Sequence, residues 1–228
     1  MRNPVLIYRW IVFLLAAGYC LRTLIFSDWS HFGGPLRFLT IWALFCSFVC
    51  ASRMMALMEG RSTLRWDGFV SMTAVLNAMV VVLFWRLYFE DPFSVTRDGT
   101  LSEWYLEVYL HGLGPLLQWI DALFLHRAFR QPVRAVAWLM GTVAAYLAWI
   151  EFVVQPLNAS PRGSVTTGLP YPFLNSLRLE DRLETYATYL VGALILLAVF
   201  TALGWLVGRL LRQPESLSDL RGSPGSAG

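Results

Sequence analysis

Five side chains that can move a proton or balance a charge fall inside or beside strongly apolar stretches of the chain: Thr40, Arg86, Glu90, His111 and Glu151. Polar and ionisable groups are costly inside a membrane and tend to be functional there. A threonine hydroxyl is a weak nucleophile until a neighbouring base takes its proton, and histidine is the commonest such base. Thr40 and His111 are therefore the candidate nucleophile and base of covalent catalysis.

Each of these residues also has an ordinary structural explanation. A threonine in a membrane helix can bond back to the carbonyl four residues earlier, which for Thr40 is that of Leu36. Arg86 and Glu90 are four residues apart and can pair along one helix, and Glu151 can close a structural network with Arg86. The choice between the two explanations depends on where the helices place these side chains.

The segment LHGLGP, residues 110–115, adds a local feature around His111. Pro115 has no N–H, so the carbonyl of His111 loses its helical partner. Gly112 and Gly114 allow backbone or substrate to approach closely. A kinked turn beside a histidine is typical of a site that lines a cavity, and it is equally typical of an ordinary kinked membrane helix.

The elements that must position these groups are transmembrane helices. The chain has 228 residues, 57% of them hydrophobic and only 14% charged, whereas a soluble domain carries about a quarter charged residues. The apolar residues gather in stretches of about twenty, which is enough to cross a bilayer. A backbone inside lipid must close its own hydrogen bonds, which favours helices. The sequence predicts an all-α polytopic bundle with six spans: 5–26, 36–58, 68–90, 104–126, 133–155 and 184–211.

The distribution of arginine predicts the orientation of this bundle. With the N-terminus inside, eleven arginines lie on the inner side and six on the outer side, and an excess of basic residues marks the cytoplasmic side. Both termini are therefore predicted to be cytoplasmic. The six spans form one domain, residues 1–212, and the tail at 213–228, rich in Ser, Gly and Pro, is predicted to be disordered.

The predicted spans bring four of the candidate groups to a similar depth. At the helical rise per residue, Thr40 and Arg86 lie about 6 Å below the outer boundary of the membrane, and His111 lies about 10 Å below it. Glu151 lies about one turn before the outer end of its span. Four different helices thus converge on one level, which favours a shared site.

Composition also limits cofactors and partners. A net charge of +3 is too small and too dispersed to indicate nucleic-acid binding. Cys20, Cys46 and Cys50 all fall in apolar spans, where reduced thiols serve as small hydrophobes, so neither a metal nor another cofactor is expected. The expected partners are a lipid substrate and membrane lipids. The expected location is a bacterial inner membrane or, in a eukaryote, the endoplasmic reticulum or plasma membrane.

Five short motifs carry a resemblance to a known family: GGPLRFLTIWAL (33–44), FWRLYFED (84–91), LHGLGP (110–115), YLAWIEF (146–152) and YPFL (171–174). In this order they resemble the androgen-induced gene family over roughly residues 30–200. The resemblance implies a multi-span membrane hydrolase that cleaves fatty acid esters of hydroxy fatty acids with a threonine nucleophile and a histidine. It places these two residues at Thr40 and His111. The chain departs from the family pattern at Ala43, Leu110 and Gly114.

Two functions remain open on the sequence. In an esterase, Glu151 would orient the imidazole of His111, Arg86 or a free backbone N–H would stabilise the oxyanion, and spans two to four would hold acyl chains. In a lipid-binding or proton-coupled transport protein, the charged residues would instead form an ion or proton relay: Arg86, Glu90, Glu151 and His111.

Overall fold

The described part of the chain is a bundle of helices. The structure is a computed structural model that describes residues 3–96, 99–101, 103–159 and 163–211, and within these residues it contains no strand. The long helical segments are α1 (Pro4–Phe26), α2 (Leu39–Met58), α3 (Asp67–Glu90), α4 (104–125), α5 (Pro132–Leu157) and α6 (Leu179–Leu210). The tail predicted to be disordered, 213–228, lies outside the described residues.

Five of these helices are long and apolar enough to cross a membrane: α1, α2, α3, α5 and α6. The helix α4 is built differently, because two α-helical stretches alternate with two π-helical turns, Tyr109–Leu113 and Asp121–Leu125. The predicted all-α polytopic fold is confirmed. The side of the membrane on which each terminus lies stays a prediction.

The most buried element of the bundle is α3. Its side chains from Met72 to Leu76 are almost fully enclosed, and it packs against α2, α4, α5 and α6. Asn77, which is also buried in α3, donates from Nδ2 to Ser47 Oγ at 2.8 Å and to the Thr73 carbonyl at 2.9 Å. A buried amide that is satisfied in this way ties α3 to α2 without an unpaired polar group.

The start of α2 differs from the sequence prediction. The predicted start, at about residue 36, lies three residues before the observed one, because a 3₁₀ turn, Gly34–Arg37, precedes an extended Phe38 and the helix begins at Leu39. Gly33 and Gly34 both have positive φ, 83° and 47°, which favours glycine. A side chain at Gly34 would also collide with the ring of Trp29. The double glycine therefore sets the level at which α2 enters the bundle.

The last helix also begins earlier than predicted, at Leu179 rather than at residue 184. The sequence prediction treated the charged residues before 184 as loop. Arg182 is nevertheless a buried helical residue, because its guanidinium pairs with Glu151 of α5.

A second buried ion pair joins the opposite end of the bundle. Arg9 of α1 donates from Nε and Nη2 to the two carboxylate oxygens of Asp121 in α4, at 2.8 and 2.9 Å. Both residues are less than a tenth exposed. This bidentate geometry compensates the cost of burying both charges.

Candidate active site

Thr40 lies in the first turn of α2, and its hydroxyl is not bonded back along the chain. The carbonyl of Leu36, four residues earlier, instead accepts from two indoles, Trp42 Nε1 at 2.9 Å and Trp149 Nε1 at 3.1 Å. Thr40 Oγ1 lies 3.4 Å from Nε2 of His111 in α4. Thr40 therefore does not form the structural hydrogen bond to the Leu36 carbonyl, because α2 begins at Leu39 and Leu36 lies outside the helix.

His111 is held by the kink that Pro115 introduces. It lies in the π-helical turn Tyr109–Leu113 with φ −112° and ψ 18°, outside helical values. Its carbonyl, which has lost its helical donor, accepts from Trp85 Nε1 of α3 at 2.9 Å. The neighbouring Phe84 stacks on the imidazole with ring centroids 3.5 Å apart and planes 3° apart. The backbone and ring of His111 are thus both restrained by α3.

The other ring nitrogen of His111 faces a carboxylate that sequence reasoning missed. Nδ1 lies 2.8 Å from Oε2 of Glu107, one turn earlier in α4, and only a small fraction of either side chain is exposed. The angle is not that of a hydrogen bond, so these two atoms have no hydrogen-bond partner within the described residues. The terminal torsion of a glutamate is soft, so this carboxylate can rotate at little energetic cost. The spacing of four residues was the available signal.

The first turn of α2 also presents backbone N–H groups to the site. Thr40 is the second residue of the helix, and N–H groups in a first turn have no acceptor within the helix. The N–H of Leu39 donates to the hydroxyl of Tyr171 at 3.2 Å. Burial raises the pKa of Tyr171, so this side chain stays a neutral hydroxyl. The N–H of Ile41 donates to the Phe38 carbonyl at 3.0 Å. Within the described residues, the N–H of Thr40 is therefore the one of these three for which the structure has no acceptor.

Two cavities meet at Thr40. One is apolar, about 120 Å³ in volume, and extends between α3, α5 and α6. The other, about 920 Å³, has a more polar lining that includes His111 and Glu107. Thr40, Phe84 and Tyr171 line both. The apolar space is thus lined by spans two and three, as the sequence predicted, but α5 and α6 take the place of span four.

Arg86 and Glu90 are placed away from the Thr40–His111 pair. Arg86 Nε lies 2.8 Å from Glu90 Oε1 within α3, and both side chains are more than half exposed. No hydrogen bond or ion pair in the described residues joins either of them to His111. Arg86 and Glu90 thus form the structural pair along one helix that the sequence offered as the alternative to a role in catalysis.

Glu151 belongs to a separate buried cluster on α5 and α6. Its carboxylate accepts from Arg182 at 3.0 and 3.1 Å and from the Tyr186 hydroxyl at 2.6 Å. The carboxylate beside His111 is that of Glu107 and not that of Glu151. Arg86–Glu90 and Glu151–Arg182 are thus two separate pairs, and neither forms a chain of contacts with His111 within the described residues.

The two glycines beside His111 differ in their surroundings. A Cβ added at Gly112 would meet nothing within 4 Å, so this position borders open space. A Cβ at Gly114 would lie 2.9 Å from the carbonyl oxygen of Tyr109. The close approach expected at both glycines is therefore found at Gly114, where it allows the π-helical turn to form. In the described residues, no group of three His, Cys, Asp or Glu side chains is arranged to hold a metal ion.

Comparison with known proteins gives one family. The family model described as FAR-17a/AIG1-like protein matches residues 6–204. The match includes Thr40, His111 and Glu107, and it agrees with the resemblance carried by the five short motifs. No curated protein and no solved structure matches the chain.

Proposed function

Because the chain belongs to the FAR-17a/AIG1-like family, we propose that this multi-pass membrane protein hydrolyses lipid esters, of the type in which a fatty acid is esterified to a hydroxy fatty acid. Thr40 is the nucleophile and His111 is the base. One observation carries the proposal: Thr40 Oγ1 lies 3.4 Å from His111 Nε2, although the two residues are 71 positions apart in the chain. Nucleophile and base within hydrogen-bond reach is the signature of an activated hydroxyl.

The first half of the reaction forms an acyl-enzyme. Thr40 Oγ1 attacks the ester carbonyl while Nε2 of neutral His111 takes the hydroxyl proton. The tetrahedral intermediate then collapses, the bond to the alcohol oxygen breaks, and Nε2 gives its proton to that oxygen. The alcohol leaves, and the acyl group stays bound to Thr40.

Water completes the cycle. His111 Nε2 takes a proton from a water molecule as its oxygen attacks the acyl carbon, and then returns the proton to Thr40 Oγ1 as the acid leaves. The net reaction consumes one ester and one water and yields one acid and one alcohol. The 920 Å³ cavity, which reaches both Thr40 and His111, supplies the path for this water.

Two further groups support these steps. Glu107, 2.8 Å from His111 Nδ1, acts as a positioning residue that orients the ring and stabilises the positive charge formed when the ring takes the proton of Thr40, the role of the acid in a catalytic triad. The backbone N–H of Thr40, in the first turn of α2, donates to the oxyanion, because free N–H groups at a helix start stabilise developing negative charge.

Hydrolysis by the purified protein tests the proposal. A matched control exists in Thr201 of α6, whose hydroxyl bonds back to the Leu197 carbonyl at 2.7 Å and which therefore has the ordinary role that Thr40 lacks. We expect Thr40→Ala and His111→Ala each to abolish turnover of a fatty acid ester of a hydroxy fatty acid, and Thr201→Ala to retain it. Turnover that survives Thr40→Ala in a folded protein would contradict the mechanism.

A further inference from the structure

We infer that the apolar cavity beside Thr40 is the acyl-chain site and that its floor limits the acyl group to about six to eight carbons. The inference rests on the proposed esterase function and specifies its substrate. Three residues from three helices form the floor: Leu76 of α3, Leu139 of α5 and Ala193 of α6. Each is the lining residue farthest along its helix from the outer end of the bundle, where Thr40 lies.

The position of the cavity relative to Thr40 indicates which arm of the ester it receives. The acyl arm stays covalently attached to Thr40 while the alcohol leaves and water enters. The alcohol and water therefore need the larger cavity, which is the one that reaches His111 and Glu107. The smaller cavity reaches Thr40 but is not lined by His111, so it suits the arm that remains in place.

The lining of the smaller cavity matches an alkyl chain. Its walls are almost entirely aliphatic and aromatic side chains. Apolar cavities of this kind stay dry and accept hydrocarbon. A chain in this space gains the free energy of leaving water, while a charged or hydrated group would lose its solvation.

The helices give the depth of the site. Phe84 stacks on His111 and so marks the level of the catalytic pair in α3, and Leu76 lies eight residues earlier. Tyr146 donates to the Arg37 carbonyl at the start of α2, and Leu139 lies seven residues earlier in α5. At the helical rise per residue, the floor is about 10–12 Å below the reacting carbonyl.

Length and volume together set the acyl size. An extended chain of single bonds advances about 1.2 Å per bond, so this depth admits at most about eight to ten carbons. The volume of about 120 Å³ is somewhat smaller than the engineered cavity that holds a six-carbon ring. The volume therefore sets the lower end of the proposed range, about six carbons, and the shorter depth sets its upper end, about eight. The floor itself is firm, because Leu76, Leu139 and Ala193 are at most 2% exposed and belong to one packed cluster.

A series of p-nitrophenyl esters, from acetate through butanoate, hexanoate, octanoate and dodecanoate to hexadecanoate, tests the inference on the full-length protein in detergent micelles. We expect kcat/KM to rise to hexanoate or octanoate and then to fall. Ala193→Leu fills the cavity, so the ratio of kcat/KM for octanoate to that for butanoate should drop by about tenfold or more, at about fourfold per displaced methylene. Leu139→Ala deepens the cavity and should move the optimum towards dodecanoate.

Matched controls separate the cavity from general destabilisation. Ala198→Leu adds the same atoms on the exposed side of α6, and Leu197→Ala removes the same atoms from the core without lining the cavity. Both should leave the chain-length profile unchanged. If Ala193→Leu and Leu139→Ala also leave the chain-length profile unchanged while hydrolysis still depends on Thr40, the acyl site is overturned but the esterase function is retained. Absence of hydrolysis of every ester would overturn both.

Discussion

Replacing Glu107 with glutamine probes the contact that orients the proposed base. The substitution keeps the size and shape of the side chain and removes its negative charge. In the native protein this carboxylate lies 2.8 Å from His111 Nδ1, and only 13% of its side chain is exposed. Charge forms on the imidazole only when Nε2 has taken the proton of Thr40, so the contact is stronger in the transition state than in the ground state.

The size of the effect follows from this geometry. Rotation of the Glu107 carboxylate into line with Nδ1 would make this contact a hydrogen bond to a charged partner, which contributes about 1.5–3 kcal/mol. If glutamine loses that contribution in the transition state, kcat falls by about tenfold to 150-fold. KM should change little, because Glu107 faces the ring and the loss is confined to the protonated form of His111.

Steady-state kinetics on a lipid ester measure this difference directly. Glu90→Gln is the matched control, because Glu90 is an exposed carboxylate paired with Arg86 on α3. We expect Glu90→Gln to retain the native kcat. A Glu107→Gln protein that is folded and retains native kcat would refute the positioning role. An equal loss in Glu90→Gln would instead favour the relay of charged residues.

Two further changes test how the bundle holds the site and itself together. Trp85→Phe removes the donor to the His111 carbonyl and should lower both kcat and thermal stability. Trp119→Phe breaks a similar 2.9 Å bond to the Ala74 carbonyl and should lower thermal stability alone. Steady-state kinetics and thermal unfolding of both variants distinguish these roles, and equal kcat values would contradict the role of Trp85 in the site. Arg9→Met leaves Asp121 buried without its partner and should reduce the free energy of unfolding by about 3–5 kcal/mol. The double variant Arg9→Met with Asp121→Asn should recover most of this loss. An Arg9→Met protein as stable as the native protein would contradict the prediction.

The length of the apolar stretches and the turn residues between them predict the helical bundle well, because both reflect the need to span the apolar part of a bilayer. A membrane helix needs about twenty apolar residues, and the predicted spans differ from α1 and α3 by one residue at most. The start of α6 was missed because Arg182 is charged. Its burial depends on Glu151 of another helix, and local composition does not contain that contact.

The candidate site was only partly predictable for the same reason. Depth along the helices and family-like motifs select Thr40 and His111, which the structure brings within 3.4 Å. Depth does not specify which way a side chain faces around its helix, and so it grouped Arg86 and Glu151 with this pair although each has a different partner. Glu107 required only the spacing of four residues to His111.

The central claim is that Thr40 is a nucleophile activated by His111. Reaction of the purified protein with a fluorophosphonate that targets hydrolase hydroxyl groups, followed by mass spectrometry of the peptides, tests it most directly. We expect the phosphonyl group on Thr40 in the native protein, none in Thr40→Ala, and strongly reduced labelling in His111→Ala. Absence of labelling in the native protein, or equal labelling of Thr40→Ala, would contradict the claim.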